Sequence, residues 1–285
     1  MIGEALLALL ACPDCRDELH QTEMAALECT GCGRRYAVTD DDILCLVPSE
    51  SKALPPEYQD PDYLKMSAVF DESSSYFTDA NPVFRAIHTS SHRTIAEWAR
   101  PYIDDGWTCD LGCGRGFHGM FYEGDPSRLI GVDFRLDSLQ AYRRNAPEPV
   151  LIQADLTRLP FRNEALSRIV SIYSLEHVYH LSDAVSEMAR VAESGNRHFV
   201  GLPCEGGLAW GLGRKLTSER AMSRRYDLDY SKYIRLEHCN DATDIIEVLS
   251  DKFDIDQRRL FPLPFAPVIS LNLTLTVSLK VVAAV

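Results

Sequence analysis

The chain has 285 residues, 46% of them hydrophobic, and a formal net charge of −13. That length and apolar content allow one large core beside a small module, and the acidic balance argues against an extended surface for a polyanion. No apolar run approaches the roughly 18 residues that a membrane helix needs, so the expectation is a cytoplasmic protein without membrane contact.

The run Ala5–Ala11 is too short to span a bilayer and has no basic flank, so it does not read as a signal peptide. Behind it come Cys12-Pro-Asp-Cys15 and Cys29-Thr-Gly-Cys32, two C-x-x-C knuckles separated by 13 residues. Four thiolates at that spacing fit a tetrahedral zinc site, so one structural Zn2+ is expected on Cys12, Cys15, Cys29 and Cys32. Disulfides are the alternative. The count of nine cysteines is odd, the other five stand singly at 45, 109, 113, 204 and 239, and a redox C-x-x-C would need a βαβ setting. Polar residues with Gly31 and Gly33 around the second knuckle suggest a β-ribbon too small for its own core, with metal supplying folding energy. With Leu6–Leu10 before the first knuckle and Ile43–Pro48 after the second, residues 1–50 resemble the small zinc-ribbon family. Its members include an activator subunit of RNA and release-factor methyltransferases, and ribbons fused to ribosomal RNA methyltransferases.

Residues 51–100 read as a linker and lid. Pro55, Pro56 and Pro61 keep its first part extended. Helical patterns follow at 63–77 and 82–102, with Phe84, Ile87, Ile95 and Trp98 mostly at multiples of three or four. Tyr76 and Phe77 are either lid residues or core.

Cys109-Asp-Leu-Gly-Cys-Gly-Arg-Gly-Phe-His-Gly119 joins a buried strand, ending near Asp110, to glycines 112, 114 and 116, where the backbone can bend sharply and approach a ligand. Gly114, Gly116 and Gly119 also match the dinucleotide fingerprint. A second strand ends in Asp133, 17 residues after Gly116, where a carboxylate can accept from ribose hydroxyls in either kind of nucleotide site. A third, Val150–Leu156, carries Asp155, and a fourth, Ser167–Ile172, runs to Leu175-Glu176-His177. A helix over 183–191, a fifth strand over 197–202 and a terminal pair over 253–260 and 271–280 complete the pattern.

From about Tyr102 to its end, the chain resembles the class I S-adenosylmethionine-dependent methyltransferases. The resemblance implies an α/β fold, a doubly wound sheet of seven strands with six parallel and one antiparallel. It also implies that Asp110, Gly112, Gly114 and Gly116 hold the methionine part of the cofactor, and that Asp133 binds the ribose hydroxyls. Asp155 would meet the adenine amino group with Leu156 beside the ring, and Tyr173 would border the sulfonium. Each residue has a plainer use: the glycines make tight turns, and Asp133 or Asp155 caps a following helix.

The acceptor side is read from the residues after the fourth strand. A sulfonium methyl is already activated, so the enzyme aligns the acceptor and, for a hydroxyl, removes its proton. His177 is the expected base, as a neutral imidazole near pH 7. An insertion over 207–240 follows, and its 207–235 part carries seven bases against three acids. Tyr226, Tyr230 and Tyr233 interleave with these charges, and Glu237 and His238 follow. These five are the expected substrate residues; a solvated helix face is the alternative. Residues 1–50 hold ten acids and three bases, so the ribbon would repel phosphates. Methyl transfer to a small molecule, such as O-methylation of a sugar-like metabolite, is therefore expected ahead of methylation of a ribosomal or transfer RNA base. A non-catalytic cofactor-binding module is the third possibility.

Overall fold

The computed structural model describes residues 2–22, 26–52, 58, 60–61, 63–64, 82–104, 106–216 and 230–282. Tyr76, Phe77 and Tyr226 lie outside the described residues, as do the side chains at 214–216 and 230–232.

A short helix α1 (Glu4–Leu7) leads into a three-stranded antiparallel ribbon of β1 (Leu19–Gln21), β2 (Ala26–Cys29) and β3 (Arg35–Ala37). Leu27 and Tyr36 pair across it and are buried. β4 (Ile43–Cys45) stays tied to the ribbon's end by the Val38–Leu44 bridge but belongs to another sheet. It joins the edge of the main sheet, parallel to β7 (Val150–Gln153), with Ile43 opposite Leu151 and Leu44 opposite Ile152.

The remaining strands are β5 (Thr108–Leu111), β6 (Leu129–Asp133), β8 (Arg168–Ile172), β9 (His198–Pro203), β10 (Phe253–Phe261) and β11 (Thr274–Val281). The order is β10-β11-β9-β8-β5-β6-β7-β4, with β11 antiparallel to both neighbours and the other pairings parallel. The sheet therefore has eight strands where the sequence suggests seven. The expected seven are present, and the extra strand is the apolar run after the second knuckle. Pairing it covers the N–H and C=O groups of β7, which would otherwise form a bare edge. β5, β6 and β8 are almost continuously buried because helices cover both faces. The helices that follow the ribbon, among the described residues, are α2 (Pro82–Ala99), α3 (Leu136–Asn145), α4 (Leu181–Val191), α5 (Leu208–Leu216), α6 (Tyr230–Glu237) and α7 (Ala242–Ser250).

The ribbon shares the large core. Leu6, Leu10, Leu19 and Leu27 belong to the same buried cluster as Leu159, Phe161, Val185 and Met188. Leu10 bridges Phe161, the Ala11 N–H donates to Pro160 O, and the Arg162 N–H donates to Leu9 O. The metal is thus not alone in folding the ribbon, because the larger domain also supplies its apolar partner.

Candidate active site

The loop after β5 turns through three glycines with left-handed backbone, Gly112 (φ +74°), Gly114 (φ +53°) and Gly116 (φ +80°). Two are demanded by packing. A Cβ on Gly112 would lie 1.8 Å from Ser174 Oγ, and one on Gly116 would lie 2.1 Å from the Tyr142 ring. Gly114 differs, since nothing lies within 4 Å of its Cβ position. That open space is bounded by the Gly114 N–H, which donates to Asp133 Oδ2 at 2.8 Å. The cradle sits where the carboxyl ends of β5 and β6 meet.

Asp110 is buried at the end of β5, and burial, reinforced by the charge of Asp133, pushes its carboxyl up to about 7. Burial also raises Asp133, although N–H groups of Arg135 and Gly114 bond its carboxylate. Two costly acids face one loop, the arrangement expected where a cationic or hydroxyl-bearing ligand completes the site. Asp155 Oδ1 accepts from the Thr157 N–H (2.8 Å) and hydroxyl (2.7 Å), so the capping use holds for that oxygen. Leu156 is half-buried beside it.

Tyr173 ends β8 with φ +54°, a strained setting for a residue with a side chain. Its hydroxyl reaches Ser91 Oγ (3.1 Å) and Ile87 O (3.3 Å) on α2, which fixes that helix across the cradle. α2 brings a group that the sequence analysis missed. His88 and His92, one turn apart, meet Phe117 edge-to-face, and His92 Nδ1 lies 3.3 Å from His118 Nδ1. Burial lowers all three, His92 to about 2 and His118 to about 4, so these imidazoles are neutral at pH 7. His88 Nδ1 is buried with no hydrogen-bond partner among the described residues. The four-residue spacing of His88 and His92 was visible, but not the face on which they lie.

His177 is set differently from the expectation. Its Nδ1 lies 2.8 Å from Glu237 O and 3.3 Å from Glu237 Oε2, with Glu176 Oε1 3.9 Å from Nε2. Burial alone would lower this imidazole, but Glu237 and Glu176 outweigh it and raise the group to about 9. It is an imidazolium at neutral pH and is not suited to the role of neutral base. Glu237 in turn receives the hydroxyls of Tyr233 (2.9 Å) and Tyr63 (3.2 Å), and His177 helps to hold it down to about 2 against burial. His238 packs edge-on against His177 and bonds Glu205, which also accepts from Trp210 Nε1 at 2.8 Å. Glu176 is 2% exposed, and its Oε2 has no partner among the described residues. The structure thus brings together His177, Tyr233, Glu237 and His238, and adds Glu205, Trp210 and Tyr63.

In the ribbon, the Sγ atoms of Cys12, Cys15, Cys29 and Cys32 lie within 4.8 Å of one another, with Cys15–Cys29 at 3.3 Å and Cys12–Cys32 at 3.7 Å. A tetrahedron with Zn–S bonds of about 2.3 Å has edges of about 3.8 Å, so the donor set fits one zinc ion. The Tyr36 hydroxyl, 3.0 Å from Cys12 Sγ, supports the site from outside.

This arrangement is a mostly parallel α/β sheet with a glycine cradle at the carboxyl ends of β5 and β6, carried behind a four-cysteine ribbon. Residues 109–200 match the family model described as a methyltransferase domain, and residues 4–41 match that of Trm112p-like protein. The chain is 24% identical over 136 residues to a demethylmenaquinone methyltransferase of Renibacterium salmoninarum, covering 48% of this chain and 57% of that protein. It is 26% identical over 134 residues to the protein of the same name from Paenarthrobacter aurescens, covering 45% and 53%. The chain thus spans about half the length of the curated relatives it matches. Among solved structures, the N-methyltransferase NodS of Bradyrhizobium japonicum with S-adenosylhomocysteine superposes with a TM-score of 0.54 at 12% identity, covering 79% of this chain and all of that one. Magnesium protoporphyrin IX methyltransferase of Synechocystis, also with S-adenosylhomocysteine, gives 0.54 at 16% identity over 76% and 95%. These likenesses share the class I fold.

Proposed function

We propose that the protein transfers a methyl group from S-adenosylmethionine to a small organic acceptor. The observation that carries this reading is the open cradle at Gly114, flanked by Asp110 and Asp133 at the ends of β5 and β6. The two glycines with φ +74° and +80° are needed by the fold itself, but Gly114 has empty space instead of a neighbour. In this reading Asp110, Gly112, Gly114 and Gly116 hold the methionine part, Asp133 the ribose, Asp155 and Leu156 the adenine, and Tyr173 flanks the sulfonium. When bound, the cofactor supplies an activated methyl group. The chain's part is alignment and exclusion of water.

The acceptor wall is His177, Tyr233, Glu237 and His238, with Tyr226 and Tyr230 in the same insertion. The imidazolium of His177 and the carboxylate of Glu237 orient a polar acceptor, and a sugar-like hydroxyl fits that pairing. Where the acceptor must lose a proton, the neutral imidazole of His88, beside Tyr173 and Phe117, is better prepared to take it than His177. The curated relatives act on demethylmenaquinone, which supports a small-molecule acceptor over RNA.

Calorimetry with S-adenosylmethionine and S-adenosylhomocysteine tests the cofactor, and Asp133→Ala should weaken binding by roughly 1.5–3 kcal/mol. Tight NAD binding with no affinity for either compound would refute the reading. Transfer of labelled methyl to bulk RNA, with log K falling by about 0.7 or more per phosphate contact as log salt rises, would refute the acceptor class.

A further inference from the structure

Three carboxyls meet at the acceptor wall, and two of them are satisfied there. Glu237 receives the hydroxyls of Tyr63 and Tyr233 and faces His177, while Glu205 takes Trp210 Nε1 and bonds His238. Glu176 is different. It is 2% exposed, its Oε2 has no hydrogen-bond partner among the described residues, and its Oε1 lies 3.9 Å from His177 Nε2, beyond hydrogen-bonding range. The turn that carries it is pinned. The Glu176 carbonyl accepts the Asn240 N–H at 3.3 Å, and Asn240 Nδ2 donates to the carbonyls of Leu175 (3.0 Å) and Val178 (2.8 Å) that flank it. The carboxyl is therefore held in the interior by its own backbone, where an oxygen without a donor is costly.

The side chain lies where the two halves of the site meet. Tyr173, raised by burial to about 12, also feels the charge of Glu176. Burial raises Glu176 itself against the pull of His177 and His238, and Glu205 adds to the rise. Tyr173 belongs to the cofactor side, and His177, His238 and Glu205 belong to the acceptor wall. The imidazolium of His177 is committed to Glu237, through Nδ1.

We propose that the methyl acceptor carries an amino group, which binds as an ammonium ion on Glu176 Oε2 between Tyr173 and His177. The inference rests on the methyl-transfer reading and narrows its acceptor, to a polar small molecule that also bears an amine. An ammonium supplies both the missing donor and the opposite charge, whereas a neutral hydroxyl would leave an ionised carboxylate buried with one weaker bond. A divalent cation fits less well. A metal needs a neutral imidazole, and His177 is protonated and already bonded. Among the described residues, only the four cysteines bring all their ligand atoms within 4.8 Å of one another. Glu176 is a binding residue here, and uptake of a proton from the acceptor stays with His88.

Full-length protein saturated with S-adenosylhomocysteine is titrated at pH 7 with two matched pairs, glucosamine against glucose and benzylamine against benzyl alcohol, and binding is read from the melting temperature. In at least one pair the amine should bind roughly tenfold or more tightly than its alcohol, the effect of a hydrogen bond to a charged group. Glu176→Gln keeps the shape and should remove that preference, with affinity for S-adenosylhomocysteine unchanged. No preference in either pair on wild-type protein would overturn the proposal, whether or not the variant folds. A preference that survives in Glu176→Gln would also overturn it, and so would stabilisation by Mg2+ or Mn2+ in place of the amines. Absence of any affinity for S-adenosylhomocysteine would sink the methyl-transfer reading and this inference with it; cofactor binding without amine preference would sink this inference alone.

Discussion

Lowering the pH from 8 to 6 should weaken S-adenosylmethionine binding through Asp110. The carboxyl is buried, and burial together with Asp133 raises it to about 7. A cationic amino group on the ligand favours the ionised form, so apparent affinity follows the fraction ionised in the free protein. That fraction is about 0.9 at pH 8 and about 0.1 at pH 6, a loss of roughly tenfold or about 1.4 kcal/mol. The stability of the free protein should move the opposite way. A carboxyl raised from 3.8 contributes stability that is complete below 3.8 and is lost as pH rises through about 7, so ligand-induced stabilisation should grow with pH. Calorimetry in buffers of different ionisation enthalpy would detect release of close to one proton on binding near pH 6. Asp110→Asn removes this contribution and also controls for titration of the ligand's own amine. If wild type and Asp110→Asn showed the same dependence on pH, Asp110 would not contact the cofactor.

His177, held protonated to about 9, should give no rising limb near pH 6.5 in the rate profile, and His177→Ala should cost well under the roughly 10²–10⁴-fold of a lost general base. Its raised value adds stability that is complete below 6.5 and lost as pH passes about 9, so His177→Ala should flatten the fall in melting temperature across that window. Gly116→Ala would drive a Cβ to 2.1 Å from the Tyr142 ring at φ +80° and should destabilise by roughly 2–4 kcal/mol in urea. Gly114→Ala, with open space at φ +53°, should cost roughly 1 kcal/mol in the same assay yet lose most cofactor affinity; equal affinity would show the cradle to be unused. Metal analysis should find about one zinc per chain, absent in Cys29→Ser, with hydrogen exchange rising first in β1–β3.

The parts of the molecule that a sequence can announce are those fixed by local chemistry. Acids close β6 and follow β7, the left-handed turn after β5 needs glycine, and four thiols at knuckle spacing come together in the ribbon. What the sequence could not supply was the partner of each element. Ile43-Leu-Cys-Leu-Val is plainly an apolar strand, but only the bare edge of β7 determines that it becomes the eighth strand of the main sheet. His177 reads as a neutral base until Glu237, 60 residues away, is folded against it. The His88, His92 and His118 group depends on α2 crossing the glycine loop, which no periodicity specifies.

The ribbon's position bears directly on the cofactor side. Arg158 donates to the carbonyl of Asp14 inside the first knuckle at 2.9 Å, and Arg16 of that knuckle donates to Leu159 O and pairs with Glu187 at 2.7 Å. Asp14 is itself held by Arg34 at 2.8 Å and by the Tyr36 hydroxyl at 2.9 Å, the tyrosine that contacts Cys12. The segment gripped in this way begins two residues after Leu156. A knuckle ordered by metal therefore restrains the turn that carries Asp155 and Leu156, and β4 restrains the strand that leads into it. Without the metal, the first of these restraints would rest on the apolar contacts of Leu6, Leu10 and Leu27 and on the backbone bonds of Ala11 and Arg162, while β4 would keep its pairing with β7. The same acidic ribbon that is ill suited to binding phosphates is well placed as a brace, because its basic contacts, Arg158 on Asp14 and Arg162 on Glu18, come from the larger domain.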